Sequence, residues 1–151
     1  MAGVIVMTEK ELWNDFITKN KMEDCEYEAW AFGAEPDLLA RLAASGEKTA
    51  TASAYPLYEI ENEPLPKAGE YSVILDSKGE AVCVVQTKRV SIVSFQEVPA
   101  EHAYKEGEGD KSLDYWRNVH EEFFTACLEE AGLQFTADMK VVCEEFEVVY
   151  K

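Results

Sequence analysis

Basic residues, histidines and long apolar runs are all scarce in this chain. Fourteen lysines and arginines stand against thirty acidic residues among 151, a formal net charge of −16. A protein that grips a nucleic-acid backbone normally presents a basic footprint. The chain as a whole should repel polyanions, which leaves only a local basic groove around Lys48, Lys88, Arg89 and Arg117 as a place for RNA. The four cysteines, Cys25, Cys83, Cys127 and Cys143, include no close pair. Without a Cys-x-x-Cys spacing they do not read as zinc ligands; they read as reduced, mostly buried thiols of an intracellular protein. No apolar stretch approaches the ~20 residues that a membrane helix needs. Val4-Ile5-Val6-Met7 is too short for a secretory signal and lacks a basic flank; it reads as a leader before an internal start at Met7 or as a short strand. The expected setting is cytoplasmic, with no membrane partner.

What is present is enough for a core. The chain is 47% hydrophobic, with aromatic and β-branched residues along its whole length, so one domain over residues 1–151 is expected. Thr8 and Glu11 have the spacing of a capping box. Leu12, Trp13, Phe16 and Ile17 follow at helical period, giving an N-terminal helix over about 8–20. Tyr27–Phe32 alternates as a short strand. Pro36 and Asp37 open a second helix with the apolar face Leu38, Leu39, Leu42 and Ala43, and Gly46 stops it. Thr49–Ala54 looks extended. Tyr55–Gly69, with three prolines, reads as a long surface loop, a kind of segment that is often functional. Two strands follow, Glu70–Asp76 and Ala81–Val93, joined by a turn at Ser77–Glu80. A short helix over Pro99–Lys105 is interrupted by Gly107 and Gly109. Ser112 then caps a longer helix with the stripe Leu113, Trp116, His120, Phe123, Phe124, Cys127 and Ala131. Val141–Tyr150 closes the chain as a strand. The order predicts an α+β domain with a small curved sheet or barrel and helices packed on it.

The segment Ser45-Gly46-Glu47-Lys48-Thr49-Ala50-Thr51-Ala52-Ser53 carries the densest chemistry. It places one lysine and several hydroxyls at a helix-to-strand junction, where rigid neighbours hold exposed backbone. It is not a P-loop, because Leu42 stands where the first glycine is required and Glu47 separates Gly46 from Lys48. Thr51 is a weak nucleophile that needs a base, and a lysine can serve if its surroundings lower its pKa. In a regular strand, positions i and i+3 face opposite ways. Lys48 and Thr51 therefore converge only if Lys48 still belongs to the turn after Gly46. Otherwise Lys48 is a solvated lysine at a helix end.

His102 and Glu106 share a helix face. With His120 they suggest a metal site, but an ordinary i,i+4 pair explains them as well, and no metal or cofactor is expected. His120 lies on the apolar stripe as a core histidine. Glu106 either points into a pocket or joins Glu108 and Asp110 in a solvated acidic loop. Arg117 lies off the stripe, free to hold a carbonyl or phosphate or to form a surface ion pair.

Taken in order, Trp30–Gly33, Gly46–Ser53, Leu65–Tyr71, His102–Asp110, Tyr115-Trp116-Arg117 and Phe146–Tyr150 resemble the ASCH domain family over roughly Trp30 to Tyr150. The resemblance implies a PUA-like β-barrel with the N-terminal helix as an extension, and action on RNA or nucleosides. The family includes an amidohydrolase of N4-acetylcytidine with a Lys-x-x-Thr pair and a glutamate in a His-Ala-x-x-Glu segment. By that likeness Lys48, Thr51 and Glu106 are the catalytic residues. Thr51 attacks the amide carbonyl, Lys48 activates it, and Glu106 moves protons or orients the group. Ser53 and Arg117 are expected to bind substrate, and the expected partner is a small nucleoside-like ligand. The rival readings are an RNA-binding or ribonuclease module, which the net charge disfavours, and a ligand-sensing or interaction domain without chemistry.

Overall fold

A computed structural model describes residues 6–151, so Val4 and Ile5 of the Val4–Met7 run lie outside the described residues. Met7 makes an isolated antiparallel bridge to Ala81. The elements are α1 (Glu9–Lys19), β1 (Tyr27–Ala31), α2 (Pro36–Ser45), β2 (Ala50–Ala54), α3 (Tyr55–Glu61), β3 (Tyr71–Leu75), β4 (Ala81–Ser94), α4 (Ala100–Glu106), α5 (Leu113–Glu130) and β5 (Lys140–Tyr150), with a 3-10 turn at Phe95–Glu97. The sheet runs β1-β3-β4-β5-β2. β1 pairs with β3 in parallel, and the other pairs are antiparallel. The fold is α+β, and the mixed sheet forms a half-barrel. The short strands β1 and β2 remain as edges. The β4–β5 register shifts twice, with Val149 of β5 the extra residue opposite Val84/Val85 and Lys88 of β4 the extra residue at Thr87/Arg89, and an extra residue in one strand bends the pair locally.

Three apolar clusters anchor the helices. Leu12, Trp13 and Phe16 of α1 bury against Val73 and Val84, each leucine or phenylalanine contributing about 1.5–3 kcal/mol by leaving water. The Thr8–Glu11 capping box that starts this helix forms in both directions. Leu39, Ala40 and Ala43 of α2 pack with Phe32, Ile74, Val85 and Phe146. Trp116, Phe124 and Leu128 of α5 pack with Phe95, Met139, Val141 and Cys143. Burial pushes the thiols of Cys83 and Cys143 up to about 12. Among the described residues no helix is long and apolar enough to cross a membrane.

One expectation is corrected. Tyr55–Gly69 is not all loop: Tyr55–Glu61 is helical, with Pro56 in its first turn and Asn62 in the left-handed region at φ 52°. Pro56 marks a helix start, where its missing N–H costs nothing and its fixed φ suits the first turn. Only the following segment, with Pro64 and Pro66, is irregular.

Candidate active site

Two glycine-dependent turns meet at the site. α2 ends at Gly46, in the left-handed region at φ 85°. The chain then turns, so that Lys48 precedes β2 rather than belonging to it. The Lys48 N–H donates to the Leu42 carbonyl at 3.0 Å, and the Thr49 N–H to the Lys105 carbonyl at 2.7 Å. α4 ends at Gly107 with φ 72°, so close to the lysine turn that a Cβ there would lie 2.4 Å from the Glu47 carbonyl oxygen. Only glycine accommodates both the backbone conformation and the approach. The ends of α2 and α4 are thereby pressed together, fifty-eight residues apart in sequence at Lys48 and Glu106.

Lys48 is 1% exposed, and so is Glu106. Lys48 Nζ donates to Glu106 Oε1 at 3.2 Å and to Glu108 Oε2 at 2.9 Å, and it lies 5.1 Å from the Phe32 ring centroid. Glu106 is saturated. Its Oε2 accepts from Trp116 Nε1 at 2.5 Å and faces His102 Nε2 at 2.8 Å, while Oε1 faces His120 Nε2 at 3.5 Å besides Lys48. Burial alone would raise the Glu106 pKa. The Lys48 charge and the two histidines outweigh it and hold the carboxyl well below its ordinary range, as donors to an ionised carboxylate do. Glu108 goes the other way: desolvation and the neighbouring Glu106 charge raise it, against the pull of Lys48.

His120 is buried on the α5 stripe, as expected, but it is more than packing. Its ring stacks on Trp116 at 4.2 Å, and Nδ1 lies 2.9 Å from the Trp116 carbonyl. That contact places the Nδ1 hydrogen and turns Nε2 toward Glu106. Burial disfavours the charged ring, but the hydrogen bond and charge of Glu106 prevail and raise its pKa. Glu106, Glu108 and His120 bring possible metal-ligand atoms within 4.8 Å of one another. The Lys48 amine already lies within hydrogen-bonding distance of both carboxylates. A divalent ion there would crowd a second cation onto the same oxygens, so the donor set fits a lysine better than a metal.

Lys48, Thr51, Glu106, Glu108 and His120 line one small pocket of about 50 Å³. Among the described residues the hydrogen bonds of the Lys48 amine go to Glu106 and Glu108, and none joins it to Thr51. Thr51 also lines a second, much larger cleft of about 860 Å³ to which all five strands contribute residues. Phe32, Gly33, Ala52 and Phe123 line both spaces. Ser53 lies in the large cleft, its hydroxyl 2.8 Å from that of Tyr58. Arg117 stands apart. It lines neither space, and its Nη2 donates to the Gln96 carbonyl at 2.8 Å, a protein carbonyl rather than a ligand.

Sequence reasoning left out Trp116 as a donor to Glu106, Glu108 as a partner of Lys48, and Glu144. Glu144 is the β5 residue directly opposite Thr51. Its signal is a lone acid in the period-2 series Val142, Glu144, Phe146, Val148, where every other member is apolar.

The ASCH domain family model matches residues 28–150, and the chain belongs to that family. Its structure is similar to that of an ASCH domain from Lactobacillus crispatus JV V101, with 30% identity and a TM-score of 0.89 over 96% of this chain and 97% of that one. It is also similar to protein EF3133 from Enterococcus faecalis V583, at 36% identity and a TM-score of 0.86 over 93% and 87% of the two chains. An ASCH protein from Zymomonas mobilis shares the fold at 13% identity and a TM-score of 0.50, over 81% of this chain and 70% of that one. No curated protein matches the chain. The family is a PUA-like fold associated with RNA-related functions.

Proposed function

We propose that this ASCH domain is an amidohydrolase of N-acylated nucleosides such as N4-acetylcytidine, with Thr51 as nucleophile and Lys48 as its activator. The observation that carries the reading is the shared wall: Thr51 belongs both to the pocket of Lys48 and to the 860 Å³ cleft. That volume lies within the range of about 300–1,000 Å³ usual for small-molecule sites. A nucleoside held in the cleft brings an exocyclic acyl group to Thr51 and toward the lysine.

The ion pairing sets the proton path. A lysine ammonium has three donors and no acceptor, so Lys48 becomes a base only after passing a proton to a carboxylate. Glu106 is saturated and held ionised by its donors. Glu108, raised by burial, is the better acceptor. The neutral amine then takes the Thr51 proton as Oγ1 bonds to the acyl carbon. When the C–N bond breaks, the leaving nitrogen recovers that proton from Lys48. Water hydrolyses the resulting ester, which restores the Thr51 hydroxyl and releases the carboxylic acid, the Glu108 proton returning to Lys48. The net change is amide plus water to amine plus acid. Glu106 acts in this scheme as a positioning residue that fixes the lysine.

The test is purified protein with N4-acetylcytidine, following cytidine and acetate together. Thr51→Ala and Lys48→Met should each lower kcat about 10²–10⁴-fold, with Thr51→Ser retaining part of the rate. Absence of turnover above background, or turnover indifferent to both residues, overturns the proposal.

A further inference from the structure

The large cleft has an electrostatic character that the catalytic cluster does not share. Glu28, Glu63, Glu70 and Glu144 all line it, and among the described residues its lining contains no lysine, arginine or histidine. Three of those glutamates are exposed, but Glu144 is only 8% exposed. A buried charge is normally paired. Among the described residues the Glu144 side chain has one hydrogen bond: its Oε2 accepts from the Thr87 hydroxyl at 2.9 Å. Its Oε1 takes no hydrogen bond among the described residues, yet it is not sealed from the cleft.

The register strengthens the reading. Thr51 and Glu144 are direct partners across β2 and β5, so their side chains stand on the same face of the sheet, roughly 5 Å apart at Cβ. Trp30, Tyr58 and Phe123 supply aromatic surface in the same cleft, the kind of wall on which a planar base stacks. An oriented acceptor therefore lies beside the nucleophile, with aromatic faces around it and no cation to receive an anion.

We propose that Glu144 anchors the ligand by accepting an N–H or O–H donor next to the acyl group, and that the cleft selects an uncharged, unphosphorylated nucleoside over its phosphate. The selection is by repulsion: a phosphate in this cleft would meet carboxylates without a compensating cation. The inference rests on the nucleoside reading of the site and adds its charge selectivity and the residue that imposes it. Burial raises the Glu144 pKa, consistent with a carboxylate that has no counter-charge.

Equilibrium binding to the full chain, read by tryptophan fluorescence and by calorimetry, tests it. The probes are N4-acetylcytidine, the four common ribonucleosides, and the 5′-monophosphate of each. The best nucleoside should bind roughly tenfold or more tighter than its own phosphate, because charge repulsion acts on the phosphate alone. Glu144→Gln should weaken that nucleoside about tenfold, the scale of a hydrogen bond to a charged group, and should narrow the gap between nucleoside and phosphate. Thr87→Val removes the hydroxyl that orients Glu144 but leaves its charge, so it should weaken the nucleoside and preserve the gap. Thermal melts report whether each variant is folded. Equal or tighter binding of the phosphate, no change in the gap on Glu144→Gln in folded protein, or no binding of any probe overturns the inference. Selective binding without turnover would sink the hydrolase reading and leave this one standing; turnover without selectivity would do the reverse.

Discussion

Glu106 and Glu144 are the same residue type, both nearly removed from water, and their surroundings drive them in opposite directions. Glu106 meets an ammonium, two imidazoles and an indole N–H. Its pKa falls although desolvation opposes that. Glu144 meets one hydroxyl, and desolvation prevails. Burial therefore does not tell what a carboxylate does; the inventory of donors around it does. A saturated carboxylate is a structural clamp with no capacity left for a ligand. A half-satisfied one beside an open cleft has an acceptor to offer.

The largest blow to this contrast should come from Lys48. Removing one member of a buried pair leaves the other charge uncompensated, at a cost of about 3–5 kcal/mol. Lys48→Met should therefore lower the unfolding free energy by that amount in urea titrations at neutral pH. A loss under about 1 kcal/mol, the scale of an exposed pair, would show that the two histidines and Trp116 hold Glu106 without the lysine.

Gly107→Ala probes the clamp from the backbone side. Alanine must adopt a left-handed conformation at φ 72° and place a methyl 2.4 Å from the Glu47 oxygen. The strain should cost about 1–3 kcal/mol and separate the turn of Lys48 from the end of α4. Its signature is a lowered Tm together with a lowered kcat; a variant with native Tm and native kcat would mean that this approach does not position the lysine.

The smallest effect has the opposite sign. The folded-state pKa of Glu144 is raised, so its contribution to stability is fully present below the unfolded carboxylate value of about 4.3 and is lost as pH rises through the folded value. Glu144→Gln should thus melt at a higher temperature than the parent protein at neutral pH, an advantage that disappears below about pH 4. Glu106 is lowered: its contribution is present above the unfolded value and lost as pH falls through the folded one. Glu106→Gln should therefore be the less stable variant at neutral pH. Melting curves from pH 3 to 8 that moved both variants the same way would break the comparison.

Much of the architecture was legible from local pattern. The capping box of α1, the proline and glycine that bound α2, the hairpin before β4 and the Ser112 cap of α5 all rest on interactions within a few residues. The failure at Tyr55–Glu61 was also local: proline is ambiguous between loop and first helical turn, and the short helix shows no buried face to decide it. At the site, the sequence leaves Lys48 open between a turn residue after Gly46 and a solvated lysine at a helix end; the structure has it buried and ahead of β2. The partners of Lys48 were harder. Glu108 sits in an acidic run that reads as solvated, and Trp116 reads as core because its apolar ring dominates its polar N–H.

The sequence by itself determined the element order, the lysine-and-hydroxyl junction and the excess of acid, because propensity, capping and charge are properties of neighbouring residues. Only the tertiary structure decided which buried acid is surrounded by donors and which meets a single hydroxyl. Those surroundings depend on which donors are brought within about 3 Å: the Lys48 amine across fifty-eight residues of chain for Glu106, and the Thr87 hydroxyl from the paired strand β4 for Glu144, distances set by how the elements pack and by nothing adjacent to them in sequence.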